Sequence, residues 1–184
     1  MTNILIKSIE EEYRRYRALA ERALAQVPDD RLSVNGLGGG NSLAVICWHI
    51  SENLRSRFTD FLTTDGEKPW RDRDAEFEAR RVSRAVLTGK WDEGWGVLFG
   101  ALAGLEDEDL SKSVIIRGQP LAVHEALHRS LAHISYHVGQ IVYLAHAFVG
   151  TEWVYLSIPP GGSAAYNADP KMEKAAAHAA AVRR

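Results

Sequence analysis

Residues 121–148 read LAVHEALHRSLAHISYHVGQIVYLAHAF, and this stretch decides the fold. Val123, Leu127, Leu131, Ile134, Val138, Ile141 and Ala145 recur at three- and four-residue intervals. On a wheel of 100° per residue they fall within about 60° of one direction, the signature of an amphipathic helix. Gly150 follows as a stop signal. A helix this long with one apolar stripe must bury that stripe against other helices.

Three further segments offer such helices. Ile4 to Val27 carries Ile6, Ile9, Tyr13, Tyr16, Leu19, Ala20, Ala23 and Leu24 at helical spacing, and Pro28 ends it. A second helix starts at an N-cap on Asn41 or Ser42 and runs to about Thr64, where Asp65-Gly66 ends it. A third runs from about Lys90 to Leu105 through Trp91, Trp95, Leu98, Phe99 and Leu102. The pattern predicts an all-α four-helix bundle over residues 1–150. Residues 151–184 read as an extension packed on the bundle. It is irregular through Pro159-Pro160-Gly161-Gly162 and ends in a short helix within Lys171–Val182.

Two connections are less patterned. Trp70 to Lys90 mixes both signs of charge, including Arg71, Arg73, Glu76, Arg80, Arg81 and Arg84. It reads as a solvated connection with a short helix near Ser83–Leu87. Ser113 to Gln119 reads as a short strand or an extended connector.

Composition narrows the function. The chain has 184 residues, 22 basic and 24 acidic side chains and a net charge of −2. That balance excludes a binder that works by neutralising nucleic-acid phosphates. A hydrophobic content of 46% excludes wholesale disorder. The single cysteine, Cys47, excludes an internal disulfide and a cysteine metal cluster, and points to a reducing, cytoplasmic setting. No run of 18 apolar residues suggests a membrane span, and the charged start has no signal-peptide core. The expected partner is a small molecule, not nucleic acid or membrane.

Five of the seven histidines lie on the fourth helix, with i,i+4 pairs at His124/His128 and His133/His137. Such spacing stacks two imidazoles on one helix face, as a single metal ion requires. His137 lies roughly 55° and His133 roughly 95° from the centre of the apolar stripe. His128 and His146 lie about 125° away, toward the polar side. A site needs a third ligand from elsewhere, and His49 is the histidine on another core helix. Three histidines from two helices would suit Zn²⁺, Ni²⁺ or Fe²⁺, with the remaining coordination positions open. Gln140 and Asn53, each about one turn from a candidate ligand, could orient those ligands by hydrogen bonding. His124-Glu125-Ala126-Leu127-His128 also matches H-E-x-x-H, but no third ligand follows at the usual spacing. It reads as a solvated stretch in which Glu125 and Arg129 pair at i,i+4. Glu52 and Glu125 are candidate acid–base groups, and Cys47 reads as a small buried hydrophobe. Three readings stay open on residues alone: a metalloenzyme, a metal-stabilised binding module, and a metal-free core with hydrogen-bonded histidines.

The segments Cys47-Trp48-His49-Ile50-Ser51-Glu52-Asn53 and His133-Ile134-Ser135-Tyr136-His137-Val138-Gly139-Gln140-Ile141 resemble the DinB-like (damage-inducible) superfamily. The tail from Trp153 to Ser163 is similar to that of a bacterial subgroup of unknown function within it. The resemblance implies an up-down-down-up four-helix bundle, a homodimer, and a divalent metal on His49, His133 and His137. It also implies activities of the thiol-dependent S-transferase type, with a low-molecular-weight thiol as cofactor.

Overall fold

The computed structural model describes residues 3–183. Among these residues the chain forms six α-helices and one two-stranded sheet. The helices are α1 (Ile4–Gln26), α2 (Leu43–Phe58), α3 (Arg84–Ala103), α4 (Val123–Val149), α5 (Ser163–Ala168) and α6 (Ala175–Val182). The strands are β1 (Ser113–Ile116) and β2 (Gln119–Ala122).

The four long helices share one apolar core, in which Tyr13, Leu54, Trp95, Leu98, Leu127 and Ile141 are fully buried. Helix α2 packs along α3, and α1 packs along α4. The Tyr13 hydroxyl donates to the Leu127 carbonyl at 2.9 Å, which fixes α1 against α4. Trp91 and Trp95 sit in this core with ring centroids 5.4 Å apart. Helix α6 lies on α1, where Ala179 and Val182 cover Ala18.

Several boundaries differ from the sequence reading. Helix α2 begins as expected, with the Ser42 hydroxyl accepting from Val45 N–H at 3.2 Å. It ends at Phe58, short of Thr64, because Asp60 adopts a positive φ of 48° that a helix cannot contain. Helix α3 begins at Arg84, so the short helix expected near Ser83–Leu87 and the one expected from Lys90 are a single element. The Ser83 hydroxyl caps it by accepting from Val86 N–H at 3.3 Å.

The chain is also not purely helical. Val114 and Ile116 point inward while Ser113 and Ile115 face solvent, the alternation of a half-buried strand. Arg117 and Gly118 both have positive φ, 55° and 72°, as a tight two-residue hairpin turn of the primed type demands. Arginine is a poor residue for that conformation, and the Asp65 carboxylate compensates. It accepts from the N–H groups of Arg117 at 2.8 Å and Gly118 at 2.7 Å. Residues 121 and 122 are thereby drawn into β2, and α4 starts at Val123. Glu125 turns back to accept from Ala122 N–H at 2.8 Å, which caps α4.

Candidate metal centre

Helices α2 and α4 bring His49, His133 and His137 together. The Nε2 atoms of His49 and His133 are 3.1 Å apart, and those of His133 and His137 are also 3.1 Å apart. Ligand atoms of all three residues lie within 4.8 Å of one another, so the group is able to hold a metal ion. His49 and His137 are buried, and His133 is half-buried.

The far sides of two rings are anchored. His49 Nδ1 lies 2.7 Å from Glu76 Oε2, and Glu76 is itself bound by Arg71 through Nε at 2.7 Å and Nη2 at 3.1 Å. Burial acts to raise the Glu76 pKa, but hydrogen bonds from His49 and Arg71 outweigh it and hold the carboxyl below its usual value. An ionised carboxylate can only accept, so His49 Nδ1 donates, and its Nε2 is the atom turned toward His133. His137 Nδ1 donates to Gln140 Oε1 at 2.8 Å, which leaves its Nε2 a lone pair. Burial is the largest cause lowering the His133 pKa to about 3, followed by the charges of His137, His49, Arg71 and Arg57. His137 is also lowered, mainly by burial. His133 is therefore neutral at pH 7, with one ring proton to place.

No placement of that proton satisfies the cluster. On Nε2 it lies between two acceptors and serves one well. On Nδ1 it becomes a buried donor without a partner, since His133 Nδ1 has none among the described residues. A cation at the centre satisfies all three Nε2 atoms together. Zinc–nitrogen bonds of ~2.0–2.1 Å at tetrahedral to octahedral angles span roughly 2.9–3.4 Å between nitrogens. The two 3.1 Å separations about His133 lie within that span, and ligand atoms of all three residues lie within 4.8 Å of one another. The donor set and its spacing fit a divalent transition metal.

Beside the histidines is a cavity of about 430 Å³. Phe58, Phe61, Phe77, Ile116 and Tyr136 form apolar parts of its wall, and Arg57, Arg71, Arg73, Arg117 and Arg129 supply positive charge. Among the described residues, no Asp or Glu lines it.

The other candidates fall elsewhere. Asn53 lines the cavity, but among the described residues it makes no side-chain hydrogen bond to a histidine. In the H-E-x-x-H stretch, His124 Nδ1 bonds the Leu110 carbonyl at 2.9 Å, and the rings of His124 and His128 are 6.2 Å apart. With Glu125 turned to the helix start, the expected Glu125–Arg129 pair does not form. His146 stacks on Trp153 at 5.0 Å. Glu52 pairs with Lys90 and Arg55 in a different depression, lined also by Trp48 and Trp70. Sequence reading missed Glu76 and Arg71, whose side chains are 2% and 1% exposed. They lie within the connection read as solvated, which in fact folds over His49 as a short 3₁₀ turn at Ala75–Phe77.

Cys47 is fully buried, and burial pushes its thiol up to about 12. Burial thus disfavours the thiolate, in keeping with the small buried hydrophobe read from the sequence. A chromogenic disulfide reagent is expected to leave Cys47 untouched in native protein for hours and to titrate one thiol per chain in denaturant. Rapid reaction without denaturant would contradict this burial.

A family model described as a protein of unknown function, DUF1572, matches residues 1–162. No curated protein and no solved structure matches the chain. The match takes in α1 to α4, the hairpin and all three histidines, and on that evidence the chain belongs to the DUF1572 family, whose function is unknown.

Proposed function

We propose that this protein is a divalent-metal-dependent enzyme acting on a small molecule, with His49, His133 and His137 as the metal ligands. The observation that carries the reading is the convergence of three imidazoles from two helices, with Nε2 atoms at two 3.1 Å separations and ligand atoms of all three residues within 4.8 Å of one another. Further support comes from the anchoring of His49 by Glu76 and of His137 by Gln140, the carboxylate and amide contacts that set tautomer and ring direction in metal sites. A bound divalent ion would supply Lewis-acid chemistry, acidifying a thiol or water or polarising an electrophile. The chain's own residues hold the ligands in one tautomer, exclude bulk water with Phe58, Phe61 and Phe77, and admit a substrate through the adjoining cavity.

The cavity's lack of an Asp or Glu favours chemistry in which the substrate or a thiol co-substrate brings the nucleophile. Thiol-dependent transfer is therefore the preferred reaction, ahead of hydrolysis with a carboxylate base. This agrees with the resemblance to the DinB-like superfamily. We assign the chain to that superfamily, with α1 to α4 as its up-down-down-up bundle and residues 151–184 as an extension on it. A metal-stabilised module without catalysis is the second reading. It is favoured by Glu76, which links the connection between α2 and α3 to the histidines, so that a metal would staple three parts of the chain.

Metal analysis of protein purified without added metal is the direct test, with about one divalent ion per chain expected. The cobalt-substituted form separates the two readings. An enzyme with open coordination positions should shift its visible d–d bands on addition of azide or a thiol. Unchanged bands would leave the stabilising role, and a chain that takes up no metal would refute both.

A further inference from the structure

The arginines around the cavity differ in how far they are already engaged. Arg71 is buried and bound to Glu76. Arg57 and Arg117 share Glu67, at 3.1 and 2.8 Å, and Arg57 also bonds the Gly66 carbonyl. These three hold the fold around the site. Arg73 and Arg129 do not. Arg73 is half-exposed, lies over the Phe77 ring at 5.1 Å, and has one carboxylate neighbour, the almost fully exposed Asp74 at 3.8 Å. Arg129 is exposed and, among the described residues, has no carboxylate within ion-pair distance, because Glu125 caps α4 instead. Both line the cavity that the histidines face.

The charge around the cavity is one-sided. Among the described residues, its wall carries five guanidinium groups and no carboxylate. Of the nearby carboxylates, Glu67, Glu76 and Asp74 pair with arginines, and Asp65 is held by the amides of the hairpin turn. Charge at the wall is thus of one sign before any metal ion adds to it, and partial enclosure strengthens its effect relative to open water. A guanidinium fork matches the two oxygens of a carboxylate or phosphate, so an exposed arginine beside aromatic walls is suited to an organic anion.

We infer that the cavity binds a small organic oxyanion, a carboxylate or phosphate ester on an apolar body, with the anionic group on Arg129 and Arg73 and the body against Phe58, Phe61 and Phe77. This names the substrate class of the histidine site and rests on that site being the reactive one. A volume of about 430 Å³ admits a molecule of one or two rings with its charged group.

The test is calorimetric titration of the full chain, with and without added Zn²⁺, using benzoate, phenyl phosphate and neutral benzyl alcohol as probes. The two anions are expected to bind at least tenfold more tightly than the alcohol, and their relative affinities say which oxyanion the arginines prefer. An Arg73→Gln, Arg129→Gln double variant is expected to lose roughly tenfold for the anions and nothing for the alcohol. Both side chains are exposed, so the variant should melt within a degree or two of the parent. Anion binding by zinc-free protein with the same arginine dependence upholds the inference even if the metal reading fails. Zinc uptake with equal affinity for anion and alcohol, or no binding of either anion at millimolar concentration, overturns it and leaves the metal reading intact. Anion affinity unchanged in the double variant but lost in His133→Ala would make the anion a mere metal ligand and also overturn it.

Discussion

His133→Ala is expected to cost about three orders of magnitude in affinity for a divalent metal, enough for purified protein to emerge essentially metal-free. Metal sites in small folded domains are worth on the order of 10–16 kcal/mol, and removing one of three ligands forfeits about 4 kcal/mol, or a factor near 10³. His49→Ala should do at least as much. It removes a ligand and also leaves the buried Glu76–Arg71 pair without its third member. Gln140→Ala should be milder, about 10–100-fold, because it loosens His137 without deleting a donor.

Melting temperature supplies the control. Bound metal stabilises the native state by mass action, so wild type should melt well above His133→Ala in the presence of zinc. In excess chelator the gap should close to within about 1 kcal/mol, because without metal His133 contributes at most one good hydrogen bond to a neighbouring imidazole. Full metal occupancy in His133→Ala, or a wild-type melting curve indifferent to chelator, would remove the basis of the site.

Gly94→Ala is expected to destabilise the fold by about 3 kcal/mol, a fall of some 6–12 °C in Tm for a chain of this size. Gly94 lies in α3 where it crosses α2, and a Cβ there would meet Ser51 Cα at 2.6 Å and the Ser51 carbonyl oxygen at 2.7 Å. Both atoms belong to backbone, so relief requires the two helices to separate, and that separation opens the core around Trp95 and Leu54. Alanine's better helix propensity, about 1 kcal/mol, offsets only part of the cost.

Gly96→Ala, two residues along the same helix, should do the opposite. Nothing lies within 4 Å of its Cβ position and its φ is helical, so a gain of about 0.5–1 kcal/mol is expected. Thermal denaturation of the pair decides the matter. Equal effects of the same sign would mean that α2 and α3 are not in close backbone contact at Gly94. Helix α2 carries His49, so Gly94→Ala should also weaken metal binding, whereas Gly96→Ala should leave it unchanged.

Much of this could be read from residue order, because it depends on periodicity. The apolar stripe of α4 repeats with the helix period, and the same period puts His133 and His137 one turn apart on its flank. His49 follows by the same reasoning on α2. Gln140 was legible because an i,i+3 neighbour on a helix is a spatial neighbour.

The limits are equally physical. Asp60 ends α2 early through a positive φ that no composition rule signals. Arg117-Gly118 turns tightly because Asp65, some fifty residues earlier, binds both amides. Arg71 and Glu76 look like their charged neighbours in the sequence, and alternating charge reads as a solvated face. They are buried because the 3₁₀ turn at Ala75–Phe77 lands on His49, where the two charges neutralise each other and the carboxylate also accepts from the imidazole. Local order therefore determined which helices form, which faces they bury and which three histidines lie near the core. The tertiary structure alone decided which charged residues pair in the interior, which two of the five cavity arginines are least engaged by carboxylates, and how closely α2 and α3 approach, because those outcomes depend on contacts between segments far apart in sequence, where no period carries information.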